Sequence, residues 1–217
     1  MKWSGQKQYE QPPAGSHLAR CVSIVDLGSQ LHTYQDKQEM SRDVRITFEL
    51  PSLLMEGKFD PKDKGRAHGV SRTVKMSLHP KATLRKLLEG WRGKKFASKE
   101  EIDAFDPKKL IGHPARLTLV EDGDYVNLES ISPINPKTDK VPKQIAKSTF
   151  FSLEPDEFDL EVFGSLGEAT KEKIKKSPEY AAIAEGQAGG GELAETHEGD
   201  GGEGGEGGED GSDDAPF

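Results

Sequence analysis

The sequence predicts a mainly β domain of five strands and one helix, followed by a C-terminal helical extension and an acidic tail. Several short stretches alternate hydrophobic and polar residues, as strands with one buried face do. Between the third and fourth stretches, the hydrophobic spacing changes to that of an amphipathic helix. These two patterns predict the order strand, strand, strand, helix, strand, strand.

The first three strands are predicted from β-branched and alternating residues. The first covers residues 17–27 and stops at Gly28, and the second covers residues 43–50. Pro51 ends the second strand because proline has no N–H to donate to a ladder. The third covers residues 71–79, and its outward positions are Thr73, Lys75, Ser77 and His79.

The helix and the last two strands follow. The helix has an apolar stripe, and Gly93 is expected to end it. Its members are Leu84, Leu87, Leu88 and Trp91. Strands at residues 115–121 and 125–134 flank Asp122-Gly123-Asp124, and an Asp-Gly pair between alternating strands is typical of a hairpin. This order matches the five-stranded OB-fold barrel, which binds oligonucleotides on the face of its second and third strands.

We expect four segments along the chain. In the third of them, Ser165 and Ser177 are predicted to begin helices. The segments are a flexible N-terminal arm (1–15), the OB-fold domain (16–150), an extended and helical C-terminal extension (151–185) and a disordered, Gly-rich acidic tail (186–217).

The body and the tail differ in the sign of their charge. The chain has 30 Lys and Arg residues against 38 Asp and Glu, a net charge of -8. Ten of the acidic residues lie in residues 186–217, which contain no Lys or Arg, and residues 1–150 hold 26 basic and 19 acidic residues. A mildly basic body joined to an acidic tail indicates a polyanionic partner, with the tail as an internal competitor.

Single-stranded nucleic acid needs cations along its phosphates and flat side chains on which its bases stack. The outward positions of strands two and three, with the loops beside them and the last strand, supply such groups, although Glu49 lies on the same face. The predicted contacts are Arg45, Thr47, Lys75, Ser77, His79, Tyr34, Lys62, Lys64, Arg66, Tyr125 and Asn127.

Other functional classes have less support in the sequence. The histidines lack paired ligand spacing and Cys21 is the single cysteine, so we expect no metal, no cofactor and no enzymatic activity. Cys21 is expected to be a buried strand residue. No apolar run is long enough to span a bilayer, and the first residues lack a signal-peptide core. We therefore expect no membrane partner and a protein that stays in the compartment that makes it.

Four stretches resemble phage-encoded single-stranded DNA-binding proteins of the OB-fold class. They are residues 15–17 (GSH), 71–85 (SRTVKMSLHPKATLR), 88–96 (LEGWRGKKF) and 173–180 (KIKKSPEY). The resemblance covers about residues 12–180. It implies a cytoplasmic protein of the bacterial host that binds single-stranded DNA in phage replication, recombination or repair.

The last five residues resemble the C-terminal tip of bacterial single-stranded DNA-binding proteins, which docks onto replication and repair partners. They are Asp213, Asp214, Ala215, Pro216 and Phe217. Ala215 stands where that tip usually carries a larger apolar residue, which predicts weaker docking. The resemblance implies that Phe217 fills an apolar pocket of a replication or recombination protein while the acidic residues meet a basic rim.

The leading hypothesis is a non-enzymatic protein that binds and protects single-stranded DNA with little sequence preference. The main alternative is an acidic-tailed, chaperone-like interaction protein that binds no nucleic acid. A metal-dependent nuclease is the third, because carboxylates are plentiful in the sequence. The oligomeric state, including a homo-oligomer, stays open at this point.

Overall fold

Two long strands form the centre of the protein, which is known here from a computed structural model describing residues 9–34, 37–123 and 125–189. β1 (Gly15–Tyr34) and β2 (Lys37–Leu54) pair antiparallel over most of their length. The other strands are β3 (Ala67–Lys75), β4 (Pro114–Asp122), β5 (Tyr125–Ser132) and β6 (Thr149–Phe151).

The sheet is mainly antiparallel, with the strand order β3-β2-β1-β4-β5. The short β6 pairs with β1 in parallel. Among the described residues no ladder joins β3 to β5, so the sheet is not closed by backbone pairing. The Arg72 side chain crosses this gap, because its Nη1 donates to the carbonyl of Leu128 on β5 at 2.6 Å.

Helices follow β3 and β6 along the chain. α1 lies between β3 and β4 in sequence, and all four residues of its predicted apolar stripe are buried. Gly93 ends it in the left-handed conformation, so the predicted helix and its stop are confirmed. The helices are α1 (Thr83–Arg92), α2 (Lys99–Asp103), α3 (Leu160–Ser165), α4 (Glu168–Lys175) and α5 (Pro178–Gly189). A bilayer-spanning helix is not found in the described ranges.

The main core lies between the inner face of the sheet and α1. Trp91 packs edge-on against Phe48, with ring centroids 5.1 Å apart, and its indole N–H donates to the carbonyl of Pro114 at 2.8 Å. Cys21 is fully buried in β1 as predicted, and burial raises the pKa of its thiol to about 12. The thiol therefore stays protonated and acts as a small apolar side chain.

A second core lies on the opposite, outer face of β1. Val25 and Leu27 are buried there against residues of the C-terminal extension. Their buried partners are Phe151, Leu153, Phe163 and Ile174. The extension therefore packs onto the sheet and covers part of a face that would otherwise meet water.

Three predicted strand limits are wrong. β1 continues through Gly28, which has φ 69° and sits at a register shift against β2. β2 continues past Pro51. Its ladder with β3 is interrupted between Leu50 and Leu54, so the N–H that proline lacks is not required at that position. β3 ends at Lys75, so Ser77 and His79 are not strand positions.

The predicted helix starts have mixed outcomes. Ser177 Oγ accepts the backbone N–H of Tyr180 at 3.2 Å, so this start is confirmed. Ser165 instead ends α3, and Gly167 precedes α4 without a side-chain cap. α5 runs to Gly189, so residues 186–189 of the predicted tail are helical. Residues 1–8 of the arm and 190–217 of the tail, including Asp213, Asp214, Ala215, Pro216 and Phe217, lie outside the described residues.

Candidate nucleic-acid interface

A strip of small polar side chains runs along the outer face of β2 and β3. Thr47 pairs with Ser71 in the ladder, and their hydroxyl oxygens are 2.8 Å apart. Thr73 and Lys75 continue the strip on the exposed positions of β3. Alternation along β3 therefore places hydroxyl groups and an ammonium group on one open surface.

An open groove of about 620 Å³ continues the strip from β3 to the start of α1. We call it the β3 groove. Its polar lining residues are Arg72, Thr73, Lys75, Ser77, His79, Lys81 and Thr83. The groove brings together three of the predicted contacts, Lys75, Ser77 and His79, although two of them lie beyond the strand.

Backbone contacts organise the link between β3 and α1. The N–H of His79 donates to Ser77 Oγ, and the N–H of Lys81 donates to His79 Nδ1, both at 3.3 Å. Nδ1 is thus an acceptor, so the neutral imidazole carries its proton on Nε2. His79 can donate from Nε2 to a phosphate oxygen in its neutral form.

The cations of the β3 groove are only loosely paired. Lys75 Nζ lies 3.1 Å from Glu39 Oε2, and the two side chains are 47% and 70% exposed. An exposed pair of this kind contributes little and is easily exchanged for a phosphate. Within the described ranges Lys81 forms no ion pair. Both ammonium groups are therefore available to a polyanion.

The loop between β2 and β3 supplies cations at the other end of the strip. Lys62, Lys64 and Arg66 are exposed there, as predicted contacts. Arg66 Nη1 pairs with Asp63 Oδ1 at 2.5 Å. β3 begins at this loop and ends in the β3 groove, and it spans roughly 26 Å at about 3.3 Å per residue. Positive charge thus lies at both ends of a strip whose middle is lined by hydroxyl groups.

Arg45 points outward as predicted but lies under α4. Its Nη1 donates to Thr170 Oγ1 at 2.8 Å, and burial lowers the pKa of Arg45. Thr170 is itself only 9% exposed. Arg45 is therefore a partner of the extension and does not join the open strip.

Glu49 is also covered, by the segment that precedes β6. Its two carboxylate oxygens accept the N–H groups of Ile145 and Ala146 at 2.7 and 2.8 Å, and the residue is 2% exposed. The negative charge that the sequence placed on the binding face is thus buried and hydrogen-bonded. Arg20 holds the same segment, because its Nε donates to the carbonyl of Pro142 at 2.7 Å.

The remaining predicted contacts lie elsewhere. Tyr34 ends β1, where its backbone pairs with Lys37. Tyr125 begins β5 and is 59% exposed, and the Asn127 amide donates to Asp122 Oδ2 at 3.1 Å. Described hydrogen bonds and ion pairs do not connect Tyr125 or Asn127 to the strip on β2 and β3.

Sequence reasoning missed Arg72 and Lys81. Arg72 occupies an inward position by alternation, and only the gap between β3 and β5 lets its long side chain reach the groove surface. Lys81 lies in the link between β3 and α1, where the sequence predicts the end of a strand followed directly by the start of a helix. The signal in the sequence was the density of basic and hydroxyl residues around Pro80.

Aromatic side chains lie beside the β3 groove. An apolar cavity of about 390 Å³ shares Ser77 with the groove and is lined by Phe105 and Phe150, among other residues. The Lys108 ammonium group lies 5.1 Å from the Phe150 ring centroid. The core residues Ile24, Val44 and Ile46 also line this cavity, so its rings lie at the edge of the main core and not on the open outer face.

Comparisons with known proteins add no relative. A scan against family models finds no match, and neither the search of curated proteins nor that of solved structures finds one. In residues 9–34, 37–123 and 125–189, no group of three or more His, Cys, Asp and Glu side chains is arranged to hold a metal ion.

Proposed function

We propose that this chain binds single-stranded DNA with little sequence preference, through the β3 groove and the hydroxyl strip on β2 and β3. It acts without catalysis in phage DNA replication, recombination or repair, in the cytoplasm of the bacterial host. The observation that carries the proposal is the groove itself, which gathers Arg72, Lys75, His79 and Lys81 on an open surface.

The chemistry of the groove suits a phosphate backbone. Ammonium and guanidinium groups neutralise phosphates, and hydroxyl groups donate to phosphate oxygens regardless of the base. The strip lacks the bidentate amide or guanidinium arrangements that read base edges on duplex DNA. Binding is therefore expected to follow the charge and flexibility of a single strand.

The topology supports an OB-fold assignment. The order β3-β2-β1-β4-β5, with α1 between β3 and β4 in the chain, is the order of an OB barrel. In such a barrel β3 approaches β5, and the Arg72 hydrogen bond to Leu128 lies at that approach. The candidate interface then lies on the strands that carry ligands in this fold class.

The acidic tail is proposed to compete with DNA and to recruit partners. Because the acidic segment is tethered to the same chain, it competes for the basic strip at a high effective concentration. A long DNA strand displaces it by making more phosphate contacts. The freed tip, Asp213 to Phe217, then binds replication or recombination proteins.

Two lysines of the groove provide the test. Lys75→Ala combined with Lys81→Ala removes two phosphate contacts, and each contributes about 0.7 to the slope of log K against log salt for single strands. We expect the slope to fall by about 1.4 and the affinity to fall roughly tenfold or more at about 0.1 M salt. Fluorescence titration with a labelled oligothymidine at several salt concentrations measures both quantities.

The control is Lys175→Ala combined with Lys99→Ala. Lys175 is 47% exposed, as Lys75 is, and it also pairs with a carboxylate, at 3.3 Å. The control should retain the affinity and slope of the unchanged chain. Equal losses in both double variants, equal affinity for duplex and single strand, or indifference to salt would each contradict the proposal.

A further inference from the structure

The loop between β2 and β3 directs three consecutive backbone N–H groups at a single carboxylate. Glu10, from the N-terminal arm, accepts from Glu56 at 2.8 Å through Oε1, and from Gly57 and Lys58 at 3.1 and 3.2 Å through Oε2. Successive N–H groups that converge in this way form an anion-binding concavity. We call residues 56–58 the loop nest.

The loop nest is held by its own loop as well as by Glu10. Met55 donates to the carbonyl of Arg66 at 2.8 Å, and Gly65 donates to the carbonyl of Met55 at 2.9 Å, which closes the loop at its base. Gly57 has φ 76°, and a Cβ there would lie 3.0 Å from the Cβ of Lys64. The close packing requires glycine and fixes the direction of the N–H groups.

His68 lies next to the nest and is poorly satisfied. Its imidazole is buried, and its Nε2 lies 3.7 Å from Glu10 Oε1, beyond hydrogen-bond distance. Its Nδ1 has no hydrogen-bond partner within the described part of the chain. The nitrogen that faces the nest is Nε2, and its distance from Glu10 leaves room for a closer acceptor there.

A carboxylate is an incomplete occupant of this site. Its Oε1 accepts only the N–H of Glu56 and keeps a free acceptor position, yet the carboxylate held in the nest leaves His68 Nε2 3.7 Å away and without a hydrogen bond to it. A phosphoryl group presents its oxygens in a tetrahedron, so one oxygen can face His68 while others face the nest. Lys58, Lys62 and Lys64 on the same loop add positive charge around it.

We propose that the loop nest and His68 form a phosphoryl-binding site, in which Glu10 is a displaceable internal substitute for the phosphate. The arm has contacts besides those of Glu10, because the neighbouring Pro12 is buried and Gln11 Oε1 accepts the N–H of Val126 at 3.4 Å. A DNA phosphate is the natural occupant, and this last step rests on the proposed function.

Glu10 is ionised at neutral pH, so the competition is between two anions. Hydrogen bonds, led by that from the N–H of Glu56, lower the pKa of Glu10. A lowered pKa means that the contact stabilises the folded chain above the ordinary pKa of a glutamate and is lost as pH falls through the folded value. Measurements near pH 7 therefore compare phosphate with a fully charged Glu10.

The direct test uses the full chain labelled with ¹⁵N and inorganic phosphate as the probe. In Glu10→Ala, the amide signals of Glu56, Gly57 and Lys58 should shift in a saturable way as phosphate is added. The apparent affinity should exceed that of the unchanged chain at least tenfold, because a tethered carboxylate competes at an effective concentration of roughly millimolar or more. Glu10→Gln, which keeps one acceptor oxygen, repeats the test if the alanine variant loosens the loop.

Asp63→Ala is the matched control, since it removes a carboxylate from the same loop, outside the nest, and leaves Glu10 in place. Asp63 pairs with Arg66, at 2.5 Å. The control should bind phosphate like the unchanged chain. Equal gains in the Glu10 and Asp63 variants would mean that the gain comes from the change in net charge alone. Absence of saturable shifts in both folded Glu10 variants would refute the site.

Oligonucleotides separate this site from the proposed function. The Glu10 variants should bind oligothymidine several-fold more tightly than the Asp63 variant, and a gain confined to 5′-phosphorylated strands would assign the site to a terminal phosphate. Phosphate binding without DNA binding would retain the site and reject the function. DNA binding without any shift at Gly57 would retain the function and reject the site.

Discussion

The outer face of the sheet has a covered half, on β1 and on β2 at Arg45 and Glu49, and an open half, on β3 and on β2 at Thr47. On the covered half, Val25 and Leu27 pack into the second core, Arg45 bonds to α4, and Glu49 bonds to the segment that precedes β6. On the open half, Ser71, Thr73 and Lys75 face water. Both halves have outward-pointing polar side chains, yet only the open half leaves them exposed.

The difference lies in how the polar groups are satisfied. Each charged group under the extension has a particular partner, because an ion taken from water needs hydrogen bonds in return. The hydroxyl groups of the open half bond to one another or to solvent, as Thr47 and Ser71 do across β2 and β3. Pointing outward is therefore insufficient for binding. The extension decides which outward residues remain accessible.

The largest expected effect is at Asp26, where the covered half is tied to the extension. Asp26 is 3% exposed and accepts from Gly28 N at 2.9 Å, from Leu153 N at 3.1 Å and from the Arg42 guanidinium. Asp26→Asn turns an amide group towards these donors. It should lower the free energy of unfolding by roughly 3–5 kcal/mol, as for other broken buried pairs. Urea denaturation measures it.

Glu154 gives the matched comparison for Asp26. It binds the same guanidinium, at 2.7 Å, but its side chain is 53% exposed. Glu154→Gln should change the free energy of unfolding by about 0–1 kcal/mol, since exposed pairs contribute little. If the two variants lost equal stability, burial would not be what distinguishes the covered half.

Local patterns predicted the elements better than they predicted the surface. The stripe from Leu84 to Trp91 and the burial of Cys21 follow from spacing and residue type, and both are confirmed. Alternation also gave the outward direction of Arg45 and Glu49. Their burial depends on residues 96 to 125 positions further along the chain, which no local pattern reports.

The candidate site was only partly predictable for the same reason. Lys75, Ser77 and His79 were named from a strand that ends at Lys75, so their meeting in one groove depends on the turn that follows. Arg72 reaches the groove only because β3 and β5 leave a gap. The nest around Glu10 depends on backbone conformation at Gly57, and the sequence shows only that glycine is present.

The next effect in size is at Gly28, where α5 begins against β1. A Cβ on Gly28 would lie 2.4 Å from the Cβ and Oγ of Ser177, and φ is 69°. Gly28→Ala should lower the free energy of unfolding by roughly 2–4 kcal/mol, from backbone strain and from the clash together. Hydrogen exchange in α5 should rise with it, because Ser29 and Glu179 lose their 2.8 Å hydrogen bond.

Gly123→Ala separates the strain from the clash. Gly123 also has a positive φ, 62°, but a Cβ there would meet nothing within 4 Å. Gly123→Ala should lower the free energy of unfolding by the backbone strain alone, roughly 1–2 kcal/mol. Hydrogen exchange in α5 should not change. An equal loss in the two variants would mean that the extension yields to the added methyl group and is loosely docked.

The smallest effect contrasts two neighbours on β2, one from each half of the face. Glu49→Gln leaves one oxygen for two backbone N–H groups and should lower the free energy of unfolding by roughly 1–3 kcal/mol, with faster hydrogen exchange at Ile145 and Ala146. Thr47→Val removes only a hydroxyl pair at the open surface and should change it by about 0.5 kcal/mol or less. Because Thr47 belongs to the strip, its valine variant should weaken DNA binding more than Glu49→Gln does, although it is the more stable of the two. If Thr47→Val were the less stable variant and Glu49→Gln the weaker DNA binder, the assignment of Thr47 to the open half and Glu49 to the covered half would be wrong.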